Sequence, residues 1–119
     1  MKENIIKNKS FDFAVRIVRL NQYLCNSRKE LVLSKQLLRC GTSIGAMVRE
    51  AEHAETKADF KHKMGIAQKE INETIYWLEL LKATDYITTE QFEDINSYAI
   101  EIIKIITAII KTTKSNINH

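Results

Sequence analysis

Two acid/histidine pairs, Glu50-x-x-His53 and Asp59-x-x-His62, have the spacing with which one helix face presents a carboxylate and an imidazole to a metal ion. A di-iron bundle centre also needs inward Glu side chains on the two other helices. The first helix offers only Asp12, at its start, and both His residues fall beside the turn between the second and third helices. No metal or other cofactor is therefore expected. Glu70 and Glu73 could be read as paired carboxylates for acid/base work, but no His or nucleophile stands at matching spacing. They flank an apolar seam at Ile71 and Thr74, where carboxylates commonly make inter-helix ion pairs, and are expected to accept hydrogen bonds from Lys35, Thr42 or Ser43. Cys25 and Cys40 lie fifteen apart with no C-x-x-C pairing, so no redox or zinc motif follows. The expectation is a non-enzyme with no catalytic residue.

The basic residues are more informative. Arg28, Lys35, Arg39 and Arg49 fall on one stripe of the second helical region together with Thr42 and Ala46. At 100° per residue, Lys35 and Arg39 lie roughly 160 to 200° from the apolar Leu37 and so point away from a core. Arg16, Arg19 and Tyr23 share an outward line on the first helix. Arg and Lys there would neutralise phosphates and Tyr would stack on an unpaired base. The competing reading is a solvated basic face paired with acidic neighbours. The net charge of +3 is mild, but it is unevenly distributed. Residues 1–49 hold ten basic and three acidic side chains, residues 50–101 five and twelve, and the remainder three Lys. That asymmetry fits either a basic face for an anionic partner or a basic helix beside an acidic one.

The elements that must carry these residues are helices. The 119 residues contain no Pro and only three Gly, and a sheet-rich or loop-rich fold needs turn residues at many more positions. The fold class expected is all-α, a single domain over residues 1–119 built as an antiparallel up-and-down four-helix bundle. The helices are expected at about 11–26, 30–54, 57–83 and 89–112, with frayed termini. Ser10 reads as the cap of the first, whose broad apolar face includes Phe11, Phe13, Val15, Ile17, Val18 and Leu24. Leu37, Gly41, Ile44, Val48 and Ala51 form the second seam, and Phe60, Met64, Ala67, Ile71, Thr74, Leu78 and Leu81 the third. Thr56 with Asp59, and Thr88 with Gln91, are capping signatures for the third and fourth helices. The fourth seam is Phe92, Ile95, Ala99, Ile102, Ile106 and Ile109.

The fourth helix also carries Ile100, Ile103, Ile105 and Ile110 outside its seam. Exposed together they would make an apolar patch larger than soluble monomers usually show, which predicts a homo-oligomer with this helix in its interface. Gly41 and Gly45 lie mid-helix, where each costs about 1 kcal/mol relative to Ala, so another backbone must approach closely there. The expected interface set is Gly41, Gly45, Glu73, Trp77, Ile100, Ile103 and Ile110. Residues Met1 to Ser10 carry no secretory signal or anchor, and Ile100–Ile110 is too short and too charged to span a bilayer, so a cytoplasmic chain without membrane contact is expected.

Three blocks carry a resemblance: Leu33-Ser34-Lys35-Gln36-Leu37-Leu38-Arg39-Cys40-Gly41-Thr42-Ser43-Ile44-Gly45-Ala46, then Asp59-Phe60 with Ile66-Ala67-Gln68-Lys69-Glu70, then Glu73-Thr74-Ile75-Tyr76-Trp77-Leu78. In this order they resemble the four-helix-bundle family of proteins encoded in 23S rRNA intervening sequences. The resemblance implies a bacterial bundle that assembles as a ring, typically a homopentamer. The family is also similar to the basic pentameric accessory protein of diversity-generating retroelements, which associates with nucleic acid and a reverse transcriptase. The chain departs from the family at Met47, where Asn is common. The expected function is a homo-oligomeric bundle that binds RNA or DNA through Arg16, Arg19, Tyr23, Arg28, Lys35, Arg39 and Arg49. The alternative is an assembly or adaptor protein whose ring holds another protein, such as a reverse-transcriptase-like partner, without nucleic acid.

Overall fold

A computed structural model describes the backbone of residues 2–118 and the side chains of residues 5–113. Four helices account for nearly all of it: α1 (Lys2–Asn26), α2 (Leu33–Glu52), α3 (Lys57–Ala83) and α4 (Thr89–Asn118). α1 packs on α2 and α4, and α3 packs on the same two, so the helices stand at the corners of a square. The side-chain pairs that cross three of the seams run in opposite order along the two helices. Lys7 meets Glu52 while Asn21 meets Ser34, and Lys63 meets Glu50 while Arg39 meets Glu70. Lys9 meets Glu101 while Arg16 meets Asp94. Each neighbour is thus antiparallel, and the rod measures 51 × 21 × 21 Å.

The second and third seams lie in the core as their spacing requires. Leu37, Ile44, Met64, Ile71, Leu78 and Leu81 are fully buried, and each such side chain contributes about 1.5–3 kcal/mol. Thr56 Oγ1 accepts from the Asp59 N–H at 3.0 Å. Thr88 and Gln91 cap each other reciprocally, Thr88 N–H to Gln91 Oε1 at 2.8 Å and Gln91 N–H to Thr88 Oγ1 at 3.1 Å.

The first helix differs from expectation. It does not begin at Ser10: that residue is fully buried nine residues inside α1, and its hydroxyl donates to the Lys7 carbonyl. Ile6, Ser10, Phe13, Ile17 and Leu24 form the true inner seam. Phe11, Val15 and Val18, counted above as core, stand on the opposite side and are exposed. α4 likewise continues past residue 112 to Asn118, so its last turns are helical.

The second helix begins at Leu33, three residues later than expected, because the Glu30 side chain, two residues before the N-cap Val32, takes up the first N–H groups of the helix start. The Glu30 carboxylate accepts the backbone N–H groups of Val32, Leu33 and Ser34 at 3.2, 3.1 and 2.7 Å. The Ser34 hydroxyl donates back to the Glu30 carbonyl at 2.8 Å. Burial by itself would push this carboxyl up, but the three N–H groups and the hydroxyl outweigh it and hold it below its ordinary value.

Gly41 and Gly45 both serve the α1/α2 seam of one chain. A Cβ on Gly41 would lie 2.8 Å from two Ile17 carbons, and one on Gly45 would lie 3.4 Å from the Ser10 carbonyl oxygen. This corrects their assignment to an oligomer interface, because the close neighbour is α1 of the same molecule.

Candidate nucleic-acid interface

The seven residues expected to meet nucleic acid do not form one uniform set. Arg39 reaches across the α2/α3 seam, pairing with Glu70 at 3.3 Å and with Glu73. Glu73 also accepts the Trp77 indole N–H at 3.0 Å. Arg39, Glu73 and Trp77 are thus tied together within the chain. The donor to these carboxylates is Arg39 and not Lys35, Thr42 or Ser43, since both hydroxyls donate to backbone carbonyls one turn earlier. Ser/Thr side chains inside a helix commonly bond back in this way.

Arg16 lies over the Tyr98 ring, 3.9 Å from its centroid, donates to the Tyr98 hydroxyl at 2.9 Å and faces Asp94 at 3.9 Å. Arg28 donates to the Tyr86 carbonyl at 3.1 Å. Arg49 sits over Phe11 at 5.4 Å. Tyr23 is half-buried and packs on the core, so its ring is only partly available for stacking. Arg19 and Lys35 remain: both are exposed, and among the described residues neither takes a hydrogen-bond or ion-pair partner. An open groove of about 400 Å³ between α1 and α4 lies beside Arg19, with Lys9, Arg16, Asp12 and Glu101 along it.

The residues expected at an oligomer interface are also divided. Ile103 and Ile110 pack against the core and only Ile100 is exposed, because the surplus isoleucines of α4 flank its seam toward α3 on one side and α1 on the other. The exposed apolar side chains outside that expected set are Ile5, Phe11, Val15 and Val18 on α1, Leu31 and Val32 in the α1/α2 loop, and Tyr76 on α3. No signal separates the two apolar lines of α1, which both repeat at helical spacing.

The two acid/histidine pairs do not converge, and among the described residues no three His, Cys, Asp or Glu side chains gather as a metal-binding group. Among them, no helix is long and apolar enough to cross a membrane.

Residues 2–108 match the family model of the 23S rRNA-intervening sequence protein. The chain belongs to that family. Its four-helix architecture is shared with the crystal structure of a protein of unknown function from the S23 ribosomal protein family of Bacteroides thetaiotaomicron. The two sequences are 59% identical, the match covers 93% of this chain and 99% of the other, and the TM-score is 0.92. Among curated proteins there is no match. The family membership agrees with the resemblance carried by the Leu33–Ala46 block, and no enzymatic family is indicated.

Proposed function

We propose that this member of the 23S rRNA-intervening sequence family is a non-enzymatic, cytoplasmic, homo-oligomeric bundle that binds RNA or DNA through the basic side of α1 and α2. The observation that carries the reading is Arg19 on α1 and Lys35 on α2, two exposed cations that take no hydrogen-bond or ion-pair partner among the described residues. Arg16 and Arg28 border them, each held in place by a tyrosine residue of the α3/α4 half. Phosphate neutralisation by such groups is sequence-independent and weakens as salt rises. The family's name, which refers to an rRNA insertion, favours RNA among the nucleic acids.

Self-association is supported by Phe11, Val15 and Val18, which put a line of apolar surface on the outside of α1 at helical spacing. The ring of five implied by the family resemblance would repeat the basic surface around its circumference and raise the avidity of weak sites.

The test is a charge reversal, Arg19→Glu with Lys35→Glu, read by RNA-binding titration at low salt and by sedimentation. The expected outcome is weakened RNA binding with the oligomer intact. Unchanged RNA binding would remove α1 and α2 from the interface, and an oligomer that binds a protein partner but no RNA would favour the adaptor reading.

A further inference from the structure

The third glycine has no reason inside the chain. A Cβ built on Gly65 would meet nothing within 4 Å, in contrast to Gly41, where it would collide with Ile17. A mid-helix glycine is unfavourable relative to alanine. What Gly65 provides is a bare stretch of α3 backbone on the floor of an open groove of about 690 Å³ between α3 and α4. Ile66 and Ile110 continue that floor, and Lys61, His62 and Lys69 stand along it.

No acidic side chain lines this groove. Lys7, Lys9, Lys63, Arg16 and Arg39 all face carboxylates, whereas among the described residues Lys61 and Lys69 form no ion pair. The bond from Gln68 to Thr107 at 2.9 Å fixes the register of α3 against α4. In the antiparallel pair this sets the exposed Lys111 of α4 level with about residue 64, near the groove's middle, and the exposed Lys104 just past its Lys69 end. The result is a groove with a cationic lining free of acids, on the side of the square opposite α1 and α2.

We propose that this α3/α4 groove binds the phosphodiester backbone of a single-stranded nucleic acid, with the sugar edge lying over Gly65, Ile66 and Ile110. The inference rests on the reading that the chain binds nucleic acid and adds a second, separate contact surface. A strand suits the groove better than a lone phosphate because the cations are strung out and do not converge. Lys61 and Lys69 are eight residues apart, about 12 Å along the helix axis. The bare backbone lets the strand approach closely, and the lysines neutralise successive phosphates.

The experiment titrates the full chain with a fluorescent, mixed-sequence single-stranded RNA over a salt series. Three variants accompany the wild type: Lys61→Glu with Lys69→Glu, Gly65→Leu, and Arg19→Glu with Lys35→Glu. Folding of each is checked by circular dichroism. The lysine variant is expected to bind about tenfold more weakly and to lower the slope of log affinity against log salt by about 1.4, two contacts' worth on a single strand. Gly65→Leu, which fills the groove without changing charge, is expected to weaken binding with the slope unchanged. Photocross-linking of a thiouridine-bearing strand is expected to mark residues 58–69.

If both groove variants bind as the wild type does while the α1/α2 variant loses binding, the groove is overturned and the α1/α2 surface stands. The reverse pattern upholds the groove and removes the α1/α2 surface. Displacement of the RNA by inorganic phosphate at matched ionic strength overturns the strand as ligand and makes the groove a small-anion site.

Discussion

At the scale of single residues, Glu30 has the most direct consequence. It is a buried carboxylate whose acceptors are filled by three backbone N–H groups at the start of α2. Glu30→Gln removes the charge from these bonds and is expected to lower stability at neutral pH by about 1–3 kcal/mol in a urea titration. Because the folded-state carboxyl is held below its ordinary value, its contribution is full above the unfolded-state value and is lost as pH falls through the folded one. The gap between wild type and Glu30→Gln should therefore narrow on acidification. A gap that widens would mean that the carboxylate is not the stabilising form. Cys40 gives a second residue-level expectation. It is fully buried, and burial pushes its thiol up, whereas Cys25 is half-buried beside Ser34. A thiol reagent should label Cys25 first and reach Cys40 only as the chain unfolds. Neither role shows in the sequence, since Glu30 lies two residues before the α2 cap, outside the usual capping pattern.

At the scale of elements, two of the three glycines make opposed predictions. Gly41→Ala forces a methyl into Ile17 and is expected to destabilise by about 1–3 kcal/mol. Gly65→Ala adds a methyl where nothing stands and is expected to stabilise α3 by up to about 1 kcal/mol. Thermal unfolding of the two variants reads both signs. The seams of α2 and α3 were legible because each has one apolar line, and spacing alone then says which side is inward; the α4 seam was legible although further isoleucines flank it. α1 was less so. Ser10, a good cap residue between a polar start and an apolar run, has the local chemistry of a helix start, but the Ile6-to-Phe13 packing overrides it. Two apolar lines on one helix, Phe13/Ile17/Leu24 and Phe11/Val15/Val18, look equivalent until the neighbours are placed. The basic stripe suffered similarly. Arg39 is outward by angle, yet it is long enough to reach Glu70 and Glu73 on the next helix. Nothing in the sequence sets Lys61 and Lys69 apart, because they lie in the segment with the greatest excess of acids.

At the scale of the whole molecule, the acids and bases of the sequence sort into surfaces that a charge count cannot show. The acids of α3 near Arg39 close the α2/α3 seam, and those of α4 face Lys9 and Arg16 across the α1/α4 seam. Among the cations left without an ion pair in the described residues are Arg19 on α1, Lys35 on α2, and Lys61 and Lys69 along the Gly65 groove. The apolar line on α1 belongs to the same scale. Replacing Phe11, Val15 and Val18 together by Ser is expected to shift sedimentation from an oligomer to the 13.8 kDa chain while helix content is kept. An unchanged oligomer would move the interface elsewhere. The most direct test of the central claim is the affinity of the wild-type chain for single-stranded RNA as a function of salt. Binding at low salt is expected to fall steadily as salt rises, with a slope of several ions released. No binding at low salt, or an affinity indifferent to salt, would contradict it.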